Sequence, residues 1–294
     1  ELFNSIITAD ELAREGYIDA SEVALLKPIS DQSRIRVPRY YLSLIDRSLK
    51  NKCPIRLQAL PALEEKNPEL PDWAKLWSMR AFGREVPWTH DPIGDVTNLA
   101  APRLTHRYDN RAILHTSSLC ALYCRFCFRK SHLNDSERTL YQGSFDQAFQ
   151  YLKTHTEIEE LILTGGDPLS LTDTALEKLF LSLRSIPNIK HVRVHSRMPV
   201  TLPSRITLEL VEILRSQPFL VSLVTHFNHP RELSTSALLK LTMVRRAGIP
   251  LYNQTVLMRG INATVDTLVT LFQTLYDHGV SPFYLHHPDW PPGT

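Results

Sequence analysis

Three cysteines fall within eight residues, Cys120-Ala-Leu-Tyr-Cys124-Arg-Phe-Cys127. A structural zinc ion normally takes four protein ligands, which three thiolates do not complete. Three thiolates can instead hold a [4Fe-4S] cluster on three irons and leave the fourth iron open to chemistry. The segment therefore reads as a reactive metal site. Two other readings use the same residues. His132 could complete a zinc site with Cys120, Cys124 and Cys127, and Cys124 and Cys127 have the spacing of a redox dithiol. The dithiol reading leaves no role for Cys120. Cys53, in Asn-Lys-Cys-Pro, has no partner motif and reads as a structural thiol.

Elements that could position this cluster begin near residue 110. Short apolar runs cover Ala112–His115, Leu161–Thr164, His191–His195, Leu220–Thr225, Leu251–Leu257 and Phe283–His286. Amphipathic stretches lie between them, near Phe145–Thr154, Thr174–Ile186, Ile206–Ser216, Ser234–Ala247 and Val265–His278. This repeat of about 30 residues predicts an α/β fold of parallel strands covered by helices. Six such strands predict a partial or complete βα barrel, with its active site at the C-terminal strand ends. Polar segments follow or close each strand: the cysteines, Thr164-Gly-Gly-Asp-Pro168, His195-Ser-Arg-Met-Pro199, His226-Phe-Asn-His-Pro230, Asn253-Gln254 and His286-His-Pro-Asp289.

Gly165 and Gly166 would let backbone approach a ligand closely, and Asp167 could pair with a ligand ammonium. The plainer reading is a βα turn with Asp167 as a helix cap. Arg107, Arg111, Arg129 and Arg197 carry forks suited to phosphate and carboxylate. Arg129 should lie near the metal, and all four grouped at one barrel mouth would form an anion-binding wall. His226, His229, His286 and His287 show no metal-ligand spacing and read as single polar contacts to a ligand or as satisfied loop residues.

Residues 1–100 read as a helical N-terminal extension and linker, and 101–294 as the barrel. Helical patterns near Ala9–Glu15, Ser21–Leu26, Arg39–Ile45 and Trp73–Met79 are broken by prolines at 54, 61, 68, 71, 87 and 92. Hydrophobic residues make up 43% and charged residues 22%, as in globular proteins, and the net charge of +2 argues against nucleic acid as a partner. No apolar run approaches the roughly 18 residues of a membrane span. Clustered rather than bridging cysteines fit a reducing cytoplasm. Glu1-Leu-Phe-Asn has no signal-peptide features and no Met, so the chain is expected to be part of a longer gene product.

The cysteine motif resembles the radical S-adenosylmethionine (SAM) superfamily. Thr105-His-Arg-Tyr-Asp-Asn-Arg111, Cys120 to Arg129, Leu163-Thr-Gly-Gly-Asp-Pro-Leu169, His195-Ser-Arg-Met-Pro-Val200, Thr225-His-Phe-Asn-His-Pro230 and Asn253-Gln-Thr-Val-Leu257 together resemble the lysine 2,3-aminomutase family. The resemblance runs from about residue 35 onward and implies a partial (β/α)6-type radical SAM barrel. It implies that SAM binds the open iron of the cluster and is cleaved reductively to methionine and a 5′-deoxyadenosyl radical. That radical takes hydrogen from the β-carbon of an amino acid held on pyridoxal phosphate (PLP), and the amino group migrates. Carried over by position, Cys120, Cys124 and Cys127 are the cluster ligands. Gly165, Gly166, Asp167, His226 and Gln254 contact SAM, and Arg107 and Arg111 hold the PLP phosphate. Arg129 pairs with the substrate carboxylate, and Asp289 reads the distal ammonium of L-lysine.

The family's PLP lysine follows a glycine-rich segment downstream of the Asp289 position, as does a second ammonium-reading carboxylate. This sequence ends at Pro291-Pro-Gly-Thr294 before that segment, so the lysine is not assigned and the segment is expected to be missing. The resulting expectation is a cytoplasmic, homo-oligomeric isomerase making β-lysine, served by an electron donor such as flavodoxin or ferredoxin. Three alternatives stand beside it. Ile35-Arg-Val-Pro38 and Tyr284-Leu-His-His-Pro-Asp289 also resemble the branch that makes β-lysine for translation elongation factor P. The second is a PLP-independent radical SAM enzyme acting on another substrate. The third is a zinc-stabilised binding module without catalysis.

Overall fold

The computed structural model describes residues 4–66, 72–83, 89–133 and 139–289. Pro68, Pro71, Pro87 and the segment 291–294 lie outside them.

The N-terminal region opens with β1 (Ser5–Ile6), α1 (Ala9–Arg14), α2 (Ala20–Gln32) and β2 (Val37–Pro38), where β1 and β2 form a small antiparallel pair. Then come α3 (Arg39–Ser43), α4 (Pro54–Ala59) and α5 (Asp72–Phe82). Pro54 starts α4 at its first turn, where a missing N–H is harmless. Cys53 is buried at the cap before it, in the apolar core.

Two strands not anticipated from the sequence follow, β3 (Leu99–Ala101) and β4 (Leu104–Tyr108). They are short and mixed in polarity, and so lack the apolar signature of a buried strand. The repeat then runs β5 (Arg111–Ser117), α6 (Asp146–Thr154), β6 (Glu160–Gly165), α7 (Asp173–Leu183), β7 (His191–His195) and a short α8 (Met198–Thr201). It continues with α9 (Leu208–Arg215), β8 (Leu220–Thr225), α10 (Thr235–Arg246), β9 (Leu251–Val256), α11 (Val265–Asp277) and β10 (Ser281–His286). All eight strands join one sheet in the order β10-β9-β8-β7-β6-β5-β4-β3. The six from β5 to β10 are parallel, while β4 and β3 add antiparallel at the β5 edge. Among the described residues β10 does not pair with β3, so the sheet is an open partial barrel rather than a closed one.

Local chemistry starts the helices. Hydroxyls of Thr172, Thr207, Ser234 and Thr264 accept from backbone N–H groups in the first turns of α7, α9, α10 and α11. Each such cap contributes about 1 kcal/mol. On β7 the period of two separates Val192 and Val194 from Arg193 and His195. The valines join the apolar cluster containing Leu176, Leu179, Phe180 and Leu210 of the covering helices. Arg193 instead reaches the Tyr284 hydroxyl on β10 at 3.0 Å and Glu160 on β6 at 2.8 Å. One sheet face is therefore apolar and helix-covered, and the other carries polar side chains. The same apolar cluster includes Ile6, Leu12, Val37, Leu42 and Ile55, so the N-terminal segments share the barrel's core.

Candidate active site

The cysteines lie on the loop that leaves β5 at its C-terminal end. Two glycines fix where that loop runs. A Cβ on Gly166 would stand 2.4 Å from the Leu119 carbonyl oxygen, and one on Gly165 2.8 Å from that of Ser117. Gly165 also has φ +115, a conformation open to glycine and costly for other residues. Gly166 N–H donates to Ser117 O at 2.6 Å and Asp167 N–H to Leu119 O at 2.8 Å. The backbone that these glycines admit is thus the cysteine loop itself, where the sequence suggested a ligand.

Asp167 is buried, and its capping reading is the one its bonds follow. Oδ1 accepts from Leu169 N–H at 2.9 Å and the Ser196 hydroxyl at 2.7 Å, while Oδ2 accepts from Arg197 N–H at 2.8 Å. The carboxylate ties the end of β6 to the end of β7. Burial raises its pKa, and these hydrogen bonds oppose the rise.

The other side of the cysteine loop rests on the N-terminal region. Tyr123 N–H donates to Arg36 O at 3.0 Å and Arg125 N–H to Gln58 O at 2.9 Å. The Arg125 guanidinium reaches Glu65 Oε1 at 2.9 Å and the Ser33 carbonyl at 3.0 Å. Burial pushes the Cys120 thiol well above its ordinary pKa and Cys127 up to about 11, with the neighbouring cysteines adding to both shifts. Cys120 and Cys127 thus need positive charge beside them to ionise, which a metal centre supplies. Among the described residues no three His, Cys, Asp or Glu side chains are gathered for a single metal ion. A cluster spaces its thiolates over separate irons, and the soft, half-buried sulfur set fits it. His132, the rival fourth ligand, bonds instead to the His90 carbonyl at 3.1 Å.

The four arginines separate. Arg129 and Arg197 stand at the C-terminal strand ends with the cysteines. Arg107 and Arg111 flank the turn between antiparallel β4 and β5, at the opposite end. The seven-residue β5 sets the two ends about 20 Å apart. A single anion-binding wall is therefore corrected to two positive regions. Arg107 Nη1 donates to Ile93 O at 3.0 Å, and Arg111 Nε lies 3.6 Å from Glu160 Oε2. Tyr108, Asp109, Asn110 and Arg111 line a concavity there. A guanidinium fork of this kind suits a phosphate.

Arg129 Nε donates to Asp95 Oδ2 at 2.6 Å, and Nη1 lies 3.4 Å from the Thr164 hydroxyl. Burial opposes the charge on Asp95, but the Arg129 guanidinium outweighs it and holds the carboxyl below its ordinary pKa. Asp289, half-buried after β10, has its pKa raised by burial, while His286, His287 and Arg129 counteract. Arg129 and Asp289 are therefore within electrostatic reach of each other.

His226 and Gln254 also come together, Nδ1 and Nε2 being 3.4 Å apart. His195 and His286 are close enough to influence His226. Burial lowers the His195 imidazole to about 3 and that of His226 well below its ordinary value, and partial desolvation lowers that of the more exposed His286. The Nε2 atoms of His195 and His226 are buried without a partner among the described residues. Buried polar atoms normally have partners, so this face is suited to a polar ligand. His229 caps the turn at Pro230–Glu232.

Sequence reasoning missed Tyr41, Gln58, Asp95, Arg125 and Glu232. Arg125 had a local signal, a charge inside the cysteine motif. The others depend on contacts 34 to 191 residues apart in sequence, which no local pattern reports.

Residues 114–271 match the Radical SAM superfamily, the class that the open βα sheet and three-cysteine loop define. The L-lysine 2,3-aminomutase of Escherichia coli is 35% identical over 288 residues, covering 97% of this chain and 78% of the relative. That of Fusobacterium nucleatum is 34% identical over 289 residues, covering 97% and 63%. The glutamate 2,3-aminomutase of Clostridioides difficile is 31% identical over 296 residues, covering 100% and 65%. The chain belongs to the lysine 2,3-aminomutase family of the radical SAM superfamily. It spans less than two thirds of the length of the Fusobacterium nucleatum and Clostridium subterminale relatives, 63% and 64%. No helix among the described residues is long and apolar enough to cross a membrane.

Proposed function

We propose that the chain is the core of an aminomutase that moves the α-amino group of L-lysine to the β-carbon, giving β-lysine. The observation that carries this reading is the Arg129 guanidinium, held by Asp95 at the C-terminal strand ends beside the cysteine loop, with the half-buried Asp289 carboxylate after β10. A guanidinium fork complements the α-carboxylate of an amino acid, and a part-buried carboxylate complements a distal ammonium. The same carboxylate repels the side chain of glutamate.

In this reading Cys120, Cys124 and Cys127 hold the cluster. His226 and Gln254 line the SAM site, and Gly165, Gly166 and Asp167 act through the cysteine loop they fix. Arg107 and Arg111 hold the PLP phosphate. Bound cluster and SAM supply the hydrogen-abstracting radical, and bound PLP supplies a conjugated system that steadies the migrating group. The protein's own work is placement. Asp95 fixes Arg129, Asp289 reads the ammonium, and neutral His226 offers polar contacts without added charge. The N-terminal segments shield the cysteine loop from water, as an extension over residues 1–100 serving a barrel over 101–294. A flavodoxin- or ferredoxin-type electron donor and a cytoplasmic setting complete the proposal.

Parallel anaerobic assays of the full-length protein with lysine and with glutamate test the substrate. Product from lysine alone is expected. Product from glutamate alone would overturn the assignment of Asp289.

A further inference from the structure

We propose that Arg197 is a positioning residue that raises the electron affinity of the metal cluster by donating to the sulfur of Cys124. This rests on the reading that Cys120, Cys124 and Cys127 hold a four-iron cluster.

Arg197 Nη1 lies 2.7 Å from Cys124 Sγ. The rest of the side chain is fixed by groups from separate parts of the chain. Nη2 donates to Glu232 Oε1 at 2.7 Å, Gln58 Oε1 at 2.6 Å and the Tyr41 hydroxyl at 3.3 Å. Nε donates to the His226 carbonyl at 3.3 Å, and the backbone N–H to Asp167 Oδ2 at 2.8 Å. The guanidinium carbon stands 5.1 Å from the Phe126 ring centre and 5.6 Å from that of Tyr41. With its donors so committed, Arg197 is not part of a phosphate- or carboxylate-binding wall. Its one distinctive contact is with a cluster-ligating sulfur.

The position is electrostatically strong. The Arg197 side chain is 8% exposed and that of Glu232 0%, so their fields are little screened by water. A cluster that accepts one electron gains negative charge, part of it on its sulfur ligands. A fixed cation and an N–H donor at one sulfur stabilise the reduced form more than the oxidised form. Glu232 acts in the opposite sense, because its negative charge offsets part of the Arg197 field. Gln58 and Tyr41, from the N-terminal region, hold the cation in place and so link that region to the metal site.

The test is the one-electron midpoint potential of the anaerobically reconstituted, full-length protein. It is read by electron paramagnetic resonance during titration with dithionite, with iron and sulfide counted per chain. Arg197→Gln is expected to weaken the hold on the electron about tenfold, which lowers a one-electron midpoint by about 59 mV. Glu232→Gln is expected to raise the midpoint, and Arg197→Lys to recover part of the loss. Packing damage alone would move the Arg197→Gln and Glu232→Gln variants in the same direction, which would overturn the proposal. So would an unmoved midpoint in Arg197→Gln at full iron content. If that variant binds no cluster, Glu232→Gln decides: a rise supports the proposal, and a fall or no change overturns it. A wild-type protein that takes up no iron and sulfide would overturn the cluster reading itself, and this inference with it.

Discussion

Asp95 holds Arg129 from outside the βα repeat, Oδ2 to Nε at 2.6 Å, with both side chains largely withdrawn from water. Asp95 is itself anchored, since the Thr105 hydroxyl donates to its carbonyl at 2.8 Å. The guanidinium proposed to meet the substrate is thereby oriented before any substrate arrives. Asp95→Asn removes a charged hydrogen bond of about 1.5–3 kcal/mol. The lysine KM is expected to rise about tenfold or more while iron content stays full. Steady-state kinetics would detect it, and an unchanged KM would show that Asp95 does not position Arg129.

The fit between Gly166 and the cysteine loop gives a second expectation. Gly166→Ala would force its new methyl against the Leu119 carbonyl, 2.4 Å away. Overpacking of this kind costs about 1–3 kcal/mol. The variant should melt at a lower temperature and retain less iron and sulfide per chain. Full iron content with an unchanged melting temperature would mean that the loop tolerates the displacement.

These two contacts also mark how far the sequence was legible. The apolar runs report strands β5 to β9 because each buries apolar side chains under helices, and β10 by the same apolar pattern although Phe283 and Leu285 are exposed. The cysteine spacing and the glycine pair were visible because their chemistry is local. The hairpin β3–β4 was not visible, whereas the position of Arg107 and Arg111 at the entry to the strand Ala112–His115 was, and only their grouping with Arg129 and Arg197 failed. Nor could Asp95 be linked to Arg129, because that pairing depends on how the N-terminal segments settle on the barrel. The same holds for Tyr41 and Gln58 around Arg197.

His115 predicts a pH dependence of stability. It is fully buried, and burial, aided by the Arg129 charge, lowers its pKa from 6.5 to about 3. The unfolded chain therefore binds a proton between those values that the folded chain does not, and stability falls as pH drops below about 6.5. One such group contributes a slope of about 1.4 kcal/mol per pH unit within the window. Urea unfolding from pH 7 to pH 4 should show a shallower loss for His115→Asn than for the wild type. Equal slopes would mean that His115 takes up its proton in the folded state.

Charge reading of the substrate separates two steps. Asp289→Asn should depress lysine turnover far more than SAM cleavage. Arg129→Lys, which replaces a planar fork by a point charge, should raise the lysine KM. Quantifying β-lysine and 5′-deoxyadenosine in each variant checks both. An unaltered lysine rate in Asp289→Asn would remove that residue from the substrate site, and an unaltered KM in Arg129→Lys would remove Arg129.

The proposed aminomutase recycles its radical. The most direct measurement is an anaerobic reaction of the reconstituted, full-length protein with lysine, SAM, PLP and dithionite, read by mass spectrometry. β-Lysine in molar excess over 5′-deoxyadenosine is the predicted result. 5′-Deoxyadenosine without β-lysine would contradict the aminomutase reading while leaving the radical chemistry in place.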